Sequence, residues 1–559
     1  MEGKNIIAAV ILSTAVLLLW AVFFEMPESK IETKNNTQQT KNVKESSAPS
    51  IDGEENKSVL SREESLKLSK RIKLENENIL GSIKVNGGII DDIIFKKYTK
   101  DLNQDEKVTL LSPDNSNKGY YIETGWTSND RVDLPNSKTE WKVIGNSKLS
   151  PNNPVTIEWT NKQKIKFVKV INLDEKFLFK IKQKIINKSN QAFNFYPYGQ
   201  IVRNEKPEIS NFYILHEGFL GVFDEELKEK DYDDIEEETF KSTQKEGWFG
   251  ITDKYWITAI VPQDRIEFRT KFLESEKKYK ANYITTEGIT SEPNQTISNE
   301  IKIFTAAKQV KDIDNYAKNE NIEKFDLAID WGWFYFFTKP LFFVIDYFFR
   351  ITGNFGIAIV LITFCVRLVF FPLANYSFRS MAKMKILQPE MTRLKELHKD
   401  DKTKLQQEMM ALYKREKVNP ISGCLPVLIQ IPFFFAIYKM LFVTIEMRHQ
   451  PFFGWVQDLS ARDPTTIFNL FGIIPWDPPN FLMIGAWPIL MGISMWVQQK
   501  MNPAPPDPIQ AKIFMFFPLF LTIILAPFPS GLVVYWTVNN ILTMAQQYII
   551  IRGTKVKTV

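Results

Sequence analysis

The sequence predicts a membrane protein of two parts, six transmembrane helices and one large all-β sandwich domain, with five of the helices gathered in the C-terminal half. Three observations carry this expectation. Stretches that meet the criterion of about 20 mostly apolar residues for crossing a bilayer run from Asn5 to Phe24, Phe355 to Leu373, Ile421 to Val443, Phe481 to Val497, Ile513 to Pro527 and Leu532 to Ile551. Between about Arg71 and Ala306 the pattern changes to short runs rich in Ile, Val, Phe, Tyr and Thr, spaced by turn residues. Basic residues crowd the segment from Ser377 to Lys417 and return in the tail as Arg552, Lys555 and Lys557. The 559 residues leave room for several domains, and the net charge of +5 matters less than its placement.

Residues 1–25 are expected to be the first membrane anchor. A cleaved signal peptide is disfavoured, because Lys4 alone precedes the apolar run, the run is long, and W-A-V-F-F-E offers no small-residue cleavage site. Residues 26–70 read as a flexible linker, since N-N-T-Q-Q-T-K-N and S-S-A-P-S cannot bury a core. Residues 71–325 form the sandwich. K-I-K-F-V-K-V-I-N-L and K-F-L-F-K-I-K-Q-K-I-I-N-K alternate apolar and polar residues as strands with one buried face do, and N-L-D-E and N-K-S-N mark the turns of an antiparallel meander. V-T-I-E-W, Y-W-I-T-A-I-V-P and I-E-F-R-T-K-F add strands. The acidic run from Asp224 to Glu238 lacks the spacing and central glycine of a calcium loop and is expected to be a solvated loop. From Val310 to Phe325 the pattern turns helical.

Residues 326–352 are dense in aromatics and suit a helix lying in the headgroup zone. Gly353 and Asn354 break it before the second membrane helix, 353–376. Residues 377–417 read as a cytoplasmic helical hairpin: Met384, Leu387, Met391 and Leu394 recur at helical spacing, Asp400 and Asp401 make a turn or N-cap, and Leu405, Met409, Leu412 and Tyr413 continue on a second helix. Its stripe is rich in methionine, with Met381, Met384, Met391, Met409 and Met410, which either packs the hairpin or meets an irregular apolar partner. The remaining helices are 418–443, 481–499, 511–528 and 530–551, joined by an outer loop at 444–480 and a cytoplasmic loop at 500–510, with a basic tail at 552–559. G-I-I-P-W-D-P-P in the outer loop reads as an ordered interfacial turn. The positive-inside rule then puts both termini in the cytoplasm and the sandwich outside.

Arg367 stands inside an apolar run, roughly 18 Å from one end and about 9 Å from the other at 1.5 Å of rise per residue. An arginine near the centre of a spanning helix costs about 2.5 to 3.5 kcal/mol and usually faces a polar, water-containing space. Snorkelling to the nearer interface is the bland alternative. Thr363 lies one turn earlier, and Gln430, Gln498, Gln499, Thr522, Thr537, Asn539 and Asn540 add polar groups on other helices, some of them as interhelical glue. No acidic residue falls within the five C-terminal spans.

The runs M-A-K-M-K-I-L-Q-P from Met381, Q-E-M-M-A-L-Y-K from Gln407, V-N-P-I-S-G-C-L-P-V-L-I-Q-I-P-F-F from Val418 and F-P-S-G-L-V-V-Y-W from Phe528 resemble the YidC/Oxa/Alb family of membrane-protein insertases. The likeness is densest from about Trp331 to Gly553, and the layout is similar to the Gram-negative form, with a first anchor, a periplasmic sandwich and a five-helix insertase core. The resemblance implies an inner-membrane insertase and chaperone for nascent integral membrane proteins. It implies a hydrophilic groove holding Arg367, with Thr363, Gln430, Tyr535, Trp536 and Asn540 as client contacts and the five hairpin methionines as a capture surface. Sec translocon components, membrane lipids and, through the basic loops and tail, the ribosome are the implied partners, and nucleic acid is not a substrate. Two positions depart from the family pattern: Trp536 stands where a second tyrosine is common after Tyr535, and Ala526-Pro527 where an aromatic is common.

Enzymatic and cofactor roles find little support. The two cysteines, Cys365 and Cys424, both fall in predicted helices, and His216, His398 and His449 are scattered, so neither a disulfide framework nor a metal site is expected. There is no Walker-type motif and no evident nucleophile-base pair. A secondary transporter or channel for an anionic solute would use an intramembrane arginine, but it predicts paired repeats with matched broken helices, and no repeat is detectable. A sugar-active enzyme built on the sandwich would need convergent carboxylates, and none can be assigned from the sequence.

Overall fold

The computed structural model describes residues 60–553 apart from 103, 210–214, 333, 400, 417, 420–424, 477, 480–481 and 503–507. The expected first anchor, most of the linker, part of the motif from Val418 and the end of the basic tail lie outside these residues.

Strands Ile165–Leu173 and Leu178–Asn187 pair antiparallel with Ile181 opposite Ile171, as their alternation predicts. Ile165, Phe167, Ile171, Ile181 and Ile185 are buried, while Lys180, Lys182 and Lys184 face away from the core. Val155–Thr160 and Thr296–Ala307 extend this sheet on either side to nine strands, and an eleven-stranded sheet covers it. The two sheets share one apolar core, in which Phe167 of one meets Phe195 of the other edge-on at 6.0 Å. Full burial of such a side chain contributes about 1.5–3 kcal/mol.

Two expectations within this part need correction. The chain is ordered before residue 71: α1 (Arg62–Lys67) is closed by a capping box, in which Ser61 Oγ accepts from Glu64 N at 3.3 Å and Glu64 accepts from Ser61 N at 3.0 Å. The acidic run is not a loop. Glu226–Lys230 is a strand paired with Gly218–Phe223, and Asp231 starts α2 (Tyr232–Glu237), whose Tyr232 and Ile235 are buried. Those two apolar residues, spaced three apart among carboxylates, anchor the segment to the core.

Beyond the sandwich, α3 (Val310–Asn319) leads to α4 (Tyr335–Thr352). The helix α4 ends at Gly353, whose φ of 69° is the left-handed conformation that glycine adopts without steric cost. Asn354 then caps α5 (Phe355–Val369), accepting from Ile357 N at 3.1 Å. Here the structure departs from the expected span of 353–376. Helix α5 stops at Val369, and α6 (Phe371–Leu397) leaves at 70°. Pro372 has no N–H to offer the carbonyl of Leu368, so the ladder breaks there. The rest of the expected span is therefore the first arm of the hairpin. Its second arm is α7 (Lys402–Arg415), capped by Asp401, which accepts from Lys404 N at 2.9 Å.

The bundle is completed by α8 (Leu425–Val443), α9 (Ala486–Met501), α10 (Pro508–Leu525) and α11 (Ser530–Gly553). A Cβ on Gly492 would lie 2.1 Å from Thr522 Oγ1, so α9 and α10 approach this closely only because that residue is glycine. The amides of Ser530 and Gly531 bond the carbonyls of Ala461 and Leu459 at 2.7 and 2.9 Å, which assigns the F-P-S-G run to seating α11. Among the described residues no single helix is long and apolar enough to cross a membrane. The bent pair α5–α6 qualifies together, and Gln430–Val443 and Ala511–Leu525 are shorter apolar helices.

The sandwich and the bundle share one continuous apolar cluster, which passes through Trp331, Phe342 and Ile359 to Met447. Polar ties fasten it: Arg448 donates to the carbonyls of Thr99 and Lys100, both at 2.7 Å, and Glu446 Oε1 accepts from Val310 N at 2.7 Å.

Candidate functional site

Arg367 sits in the last turn of α5, where the negative end of the helix dipole favours a cation. The bend at Phe370 produces this position, which the unbroken span of the sequence expectation did not contain. The guanidinium crosses to α11. Its Nε donates to Asn539 Oδ1 at 3.0 Å, and a terminal nitrogen donates to the Asn539 carbonyl at 3.3 Å and to Thr543 Oγ1. Among the described residues no carboxylate pairs with it. Neutral oxygens fix the orientation of the charge without neutralising it, and a half-buried charge held this way requires further solvation.

That solvation has room. A groove beside the guanidinium is walled by Thr363 and Val366 of α5, Leu373 of α6, Gln430 and Phe433 of α8, and Tyr535, Asn539 and Gln546 of α11. It encloses a cavity of about 50 Å³, room for about three to five waters at roughly 10–15 Å³ each. Asn539 Nδ2 and both amide atoms of Gln546 are buried without a protein partner. Buried polar atoms in native structures are nearly always bonded, so these call for water or a ligand. The Thr363 hydroxyl is already spent on the Ile359 carbonyl at 2.6 Å, and it contributes a wall rather than a free donor.

Of the residues expected in the groove, Arg367, Thr363, Gln430 and Tyr535 come together, and Trp536 and Asn540 do not. Trp536 packs edge-on against Phe434 at 4.7 Å and against the cluster of Met491, Leu525 and Val533. Asn540 donates to Ser494 Oγ at 2.9 Å and ties α11 to α9. Helical geometry separates the two sets: one residue turns the helix by about 100°, so Trp536 and Asn540 cannot share the face of Tyr535 and Asn539. Asn539, Thr543 and Gln546 are the groove-side residues absent from the expected set, and their four-, four- and three-residue steps from Tyr535 were the available signal.

The hairpin methionines also divide. Met391 is buried with Leu412 and Tyr413, and Met384 and Met409 pack against them. Met381 is buried with Ala374, Phe378 and Ile550, where α6 meets α11. Met410 is 48% exposed.

Family comparison covers both parts of the chain. Residues 71–344 match the family described as YidC periplasmic domain, and residues 347–557 match the family described as 60Kd inner membrane protein. The class is thus that of inner-membrane proteins with a periplasmic domain. Membrane protein insertase YidC of Pelagibacter ubique (strain HTCC1062) is 60% identical over 559 residues, covering 100% of both chains. The protein of the same name from Rickettsia felis (strain ATCC VR-1525 / URRWXCal2) is 45% identical over 555 residues, covering 98% of each. A structure titled "Active YidC insertase crystal structure with the first transmembrane domain resolved" aligns over 86% of this chain and 93% of the other at 16% identity, with a TM-score of 0.37. The chain belongs to the YidC family of membrane protein insertases, whose activity is not enzymatic.

Proposed function

We propose that the chain works as an insertase and folding chaperone by admitting the translocated tail of a nascent membrane protein into the groove beside Arg367. The observation that carries this is a guanidinium bonded by Asn539 and Thr543, with water-sized space and unpartnered amide atoms next to it. A client carboxylate about 4 Å from the guanidinium would gain about 4 kcal/mol at an effective dielectric of 20, against about 1 kcal/mol in bulk water. The client's apolar segment leaves sideways into lipid, and transfer at about 25 cal/mol per Å² of apolar surface drives the step. No nucleotide or metal takes part.

In this account the chain crosses the inner membrane six times, at 1–25, at α5 up to its bend into α6, and at 418–443, 481–499, 511–528 and 530–551. Both termini are cytoplasmic and the sandwich is periplasmic, which the basic hairpin and tail favour. The hairpin captures clients first, through Met410 on its second arm and the exposed apolar residues Ile386 and Leu397 on its first. Sec translocon components act beside it, and the ribosome docks on the basic loops and tail. A transporter would use two matched broken helices, whereas one bent pair occurs among the described residues.

The test is photocrosslinking from Gln430, a groove wall, with Trp496, 51% exposed on α9, as the comparison position. A stalled nascent membrane protein should crosslink at Gln430 well before it reaches Trp496. Equal crosslinking at both from the earliest stage would remove the groove from the route.

A further inference from the structure

Between α8 and α9 the segment I-F-N-L-F-G-I-I-P-W, residues 467–476, carries no charge, yet it is not buried. Ile467, Phe468, Leu470, Phe471, Ile474 and Trp476 are between 39% and 52% exposed, and Ile473 is 80% exposed. The segment is nonetheless ordered by its own bonds. Phe471 N donates to the Thr466 carbonyl at 2.8 Å, Ile474 N to the Asn469 carbonyl at 3.0 Å, and Thr466 Oγ1 to the Leu482 carbonyl at 2.9 Å. Leu470 and Phe471 have φ of 51° and 57°, a left-handed conformation that bulky residues rarely adopt. This strain turns two large apolar side chains outward, where about half of each is left uncovered by the described residues.

We infer that residues 467–476 form an apolar wedge that inserts into the lipid of the outer leaflet of the inner membrane. The inference rests on the membrane topology proposed above. Three features favour lipid over a second protein as the occupant. Protein interfaces carry about one hydrogen bond per 100–200 Å², whereas the side chains of Asn469 and the adjoining Thr466 are turned onto carbonyls of the same loop, those of Trp476 and Leu482. After nine further residues α9 begins, and its exposed Leu490, Ile493, Trp496 and Val497 form a second uncharged apolar surface. Trp476 closes the wedge with the amphipathic ring that settles at headgroup level.

The experiment uses the full chain with Cys365 and Cys424 replaced by serine, in vesicles of phosphatidylethanolamine and phosphatidylglycerol. Three single-cysteine variants, Ile473→Cys in the wedge, Phe516→Cys on α10 and Lys118→Cys on the exposed sandwich surface, each carry a small environment-sensitive fluorophore. Nitroxide-labelled lipids should quench the label at position 473 several-fold more than that at 118, and aqueous iodide should do the reverse. Iodide quenching at 473 equal to that at 118 would put the wedge in water and overturn the inference. Protection at 473 from both quenchers would mean a protein covers it, and would overturn the inference as well. The label at 516 separates the two levels of the argument. If it escapes lipid quenching too, the membrane topology falls and takes the wedge with it; if 516 is quenched and 473 is not, the wedge alone is wrong.

Discussion

Glu446 joins the bundle to the sandwich, and its protonation should set how firmly the two are held. Its Oε1 accepts from the first amide of α3, Val310 N, at 2.7 Å, while Oε2 is buried without a partner. Burial pushes the carboxyl up to about 7 against the pull of that amide, and Asp346 and Asp312 add repulsion. The folded-state value therefore lies above the unfolded reference of 4.5. The contribution of Glu446 is complete below about pH 4.5 and is lost as pH rises through about 7. At 1.36 kcal/mol per unit, the ceiling on this loss is about 3 kcal/mol. Hydrogen exchange of the α3 amides reads it, measured near pH 5 and near pH 8 and corrected for intrinsic rates. Protection should fall at the higher pH, and the always-neutral Glu446→Gln should keep protection at both while retaining the acceptor for Val310 N. If the parent and Glu446→Gln lose protection alike, the titrating group is another one and the reasoning fails.

Three further outcomes are expected. Deleting residues 75 to 300 should leave insertion largely intact in a reconstituted assay, because the groove is built from the bundle; loss of insertion with a folded bundle would move the mechanism to the sandwich. Removing Arg379 to Lys414 should instead impair capture, and Met410→Glu should reproduce part of that defect without loss of stability, since Met410 packs on neither hairpin cluster; normal client crosslinking in both variants would reduce the hairpin to a connector. Asn539→Ala removes charge-assisted bonds to Arg367 that are worth about 1.5–3 kcal/mol and should lower both thermal stability and insertion, whereas Asn540→Ala, which breaks the Ser494 bond, should cost about 1 kcal/mol and leave insertion unchanged.

The sandwich was legible because its strands have one buried face: Ile165, Phe167, Ile171 and Leu173 recur at even spacing, with Lys166 and Asn172 on the opposite, wetter face, and that period survives any detail of topology. The caps at Ser61 and Asp401 follow local rules, but S-R-E-E adjoins a linker whose composition suggests no order, and that composition masks the capping box. The bend at Phe370 is not legible in the sequence because the apolar run continues smoothly across it, and composition does not register one missing N–H at Pro372. In the groove, Arg367 stood out as a charge among apolar residues. Its partners Asn539 and Thr543 did not, because Asn539 and Asn540 are equally polar, and only the helical angle separates groove from glue. The methionine stripe was ambiguous for a related reason: spacing shows which residues share a face, and the packing partner decides which of them remain exposed.

The central claim is that the Arg367 charge acts on an entering client, and insertion of one client whose translocated tail carries zero, one or two acidic residues tests it most directly. The parent, Arg367→Lys, Arg367→Ala and Arg367→Glu are compared at equal membrane levels. Lysine keeps the charge but loses the fork of donors that grips Asn539 and Thr543, so Arg367→Lys should retain much of the activity. Arg367→Ala should fail progressively as acidic residues are added while sparing the neutral tail, and Arg367→Glu should be the worst of the series. If Arg367→Ala handles all three tails as the parent does, the arginine serves only the hydration and packing of the groove, and the electrostatic account is contradicted.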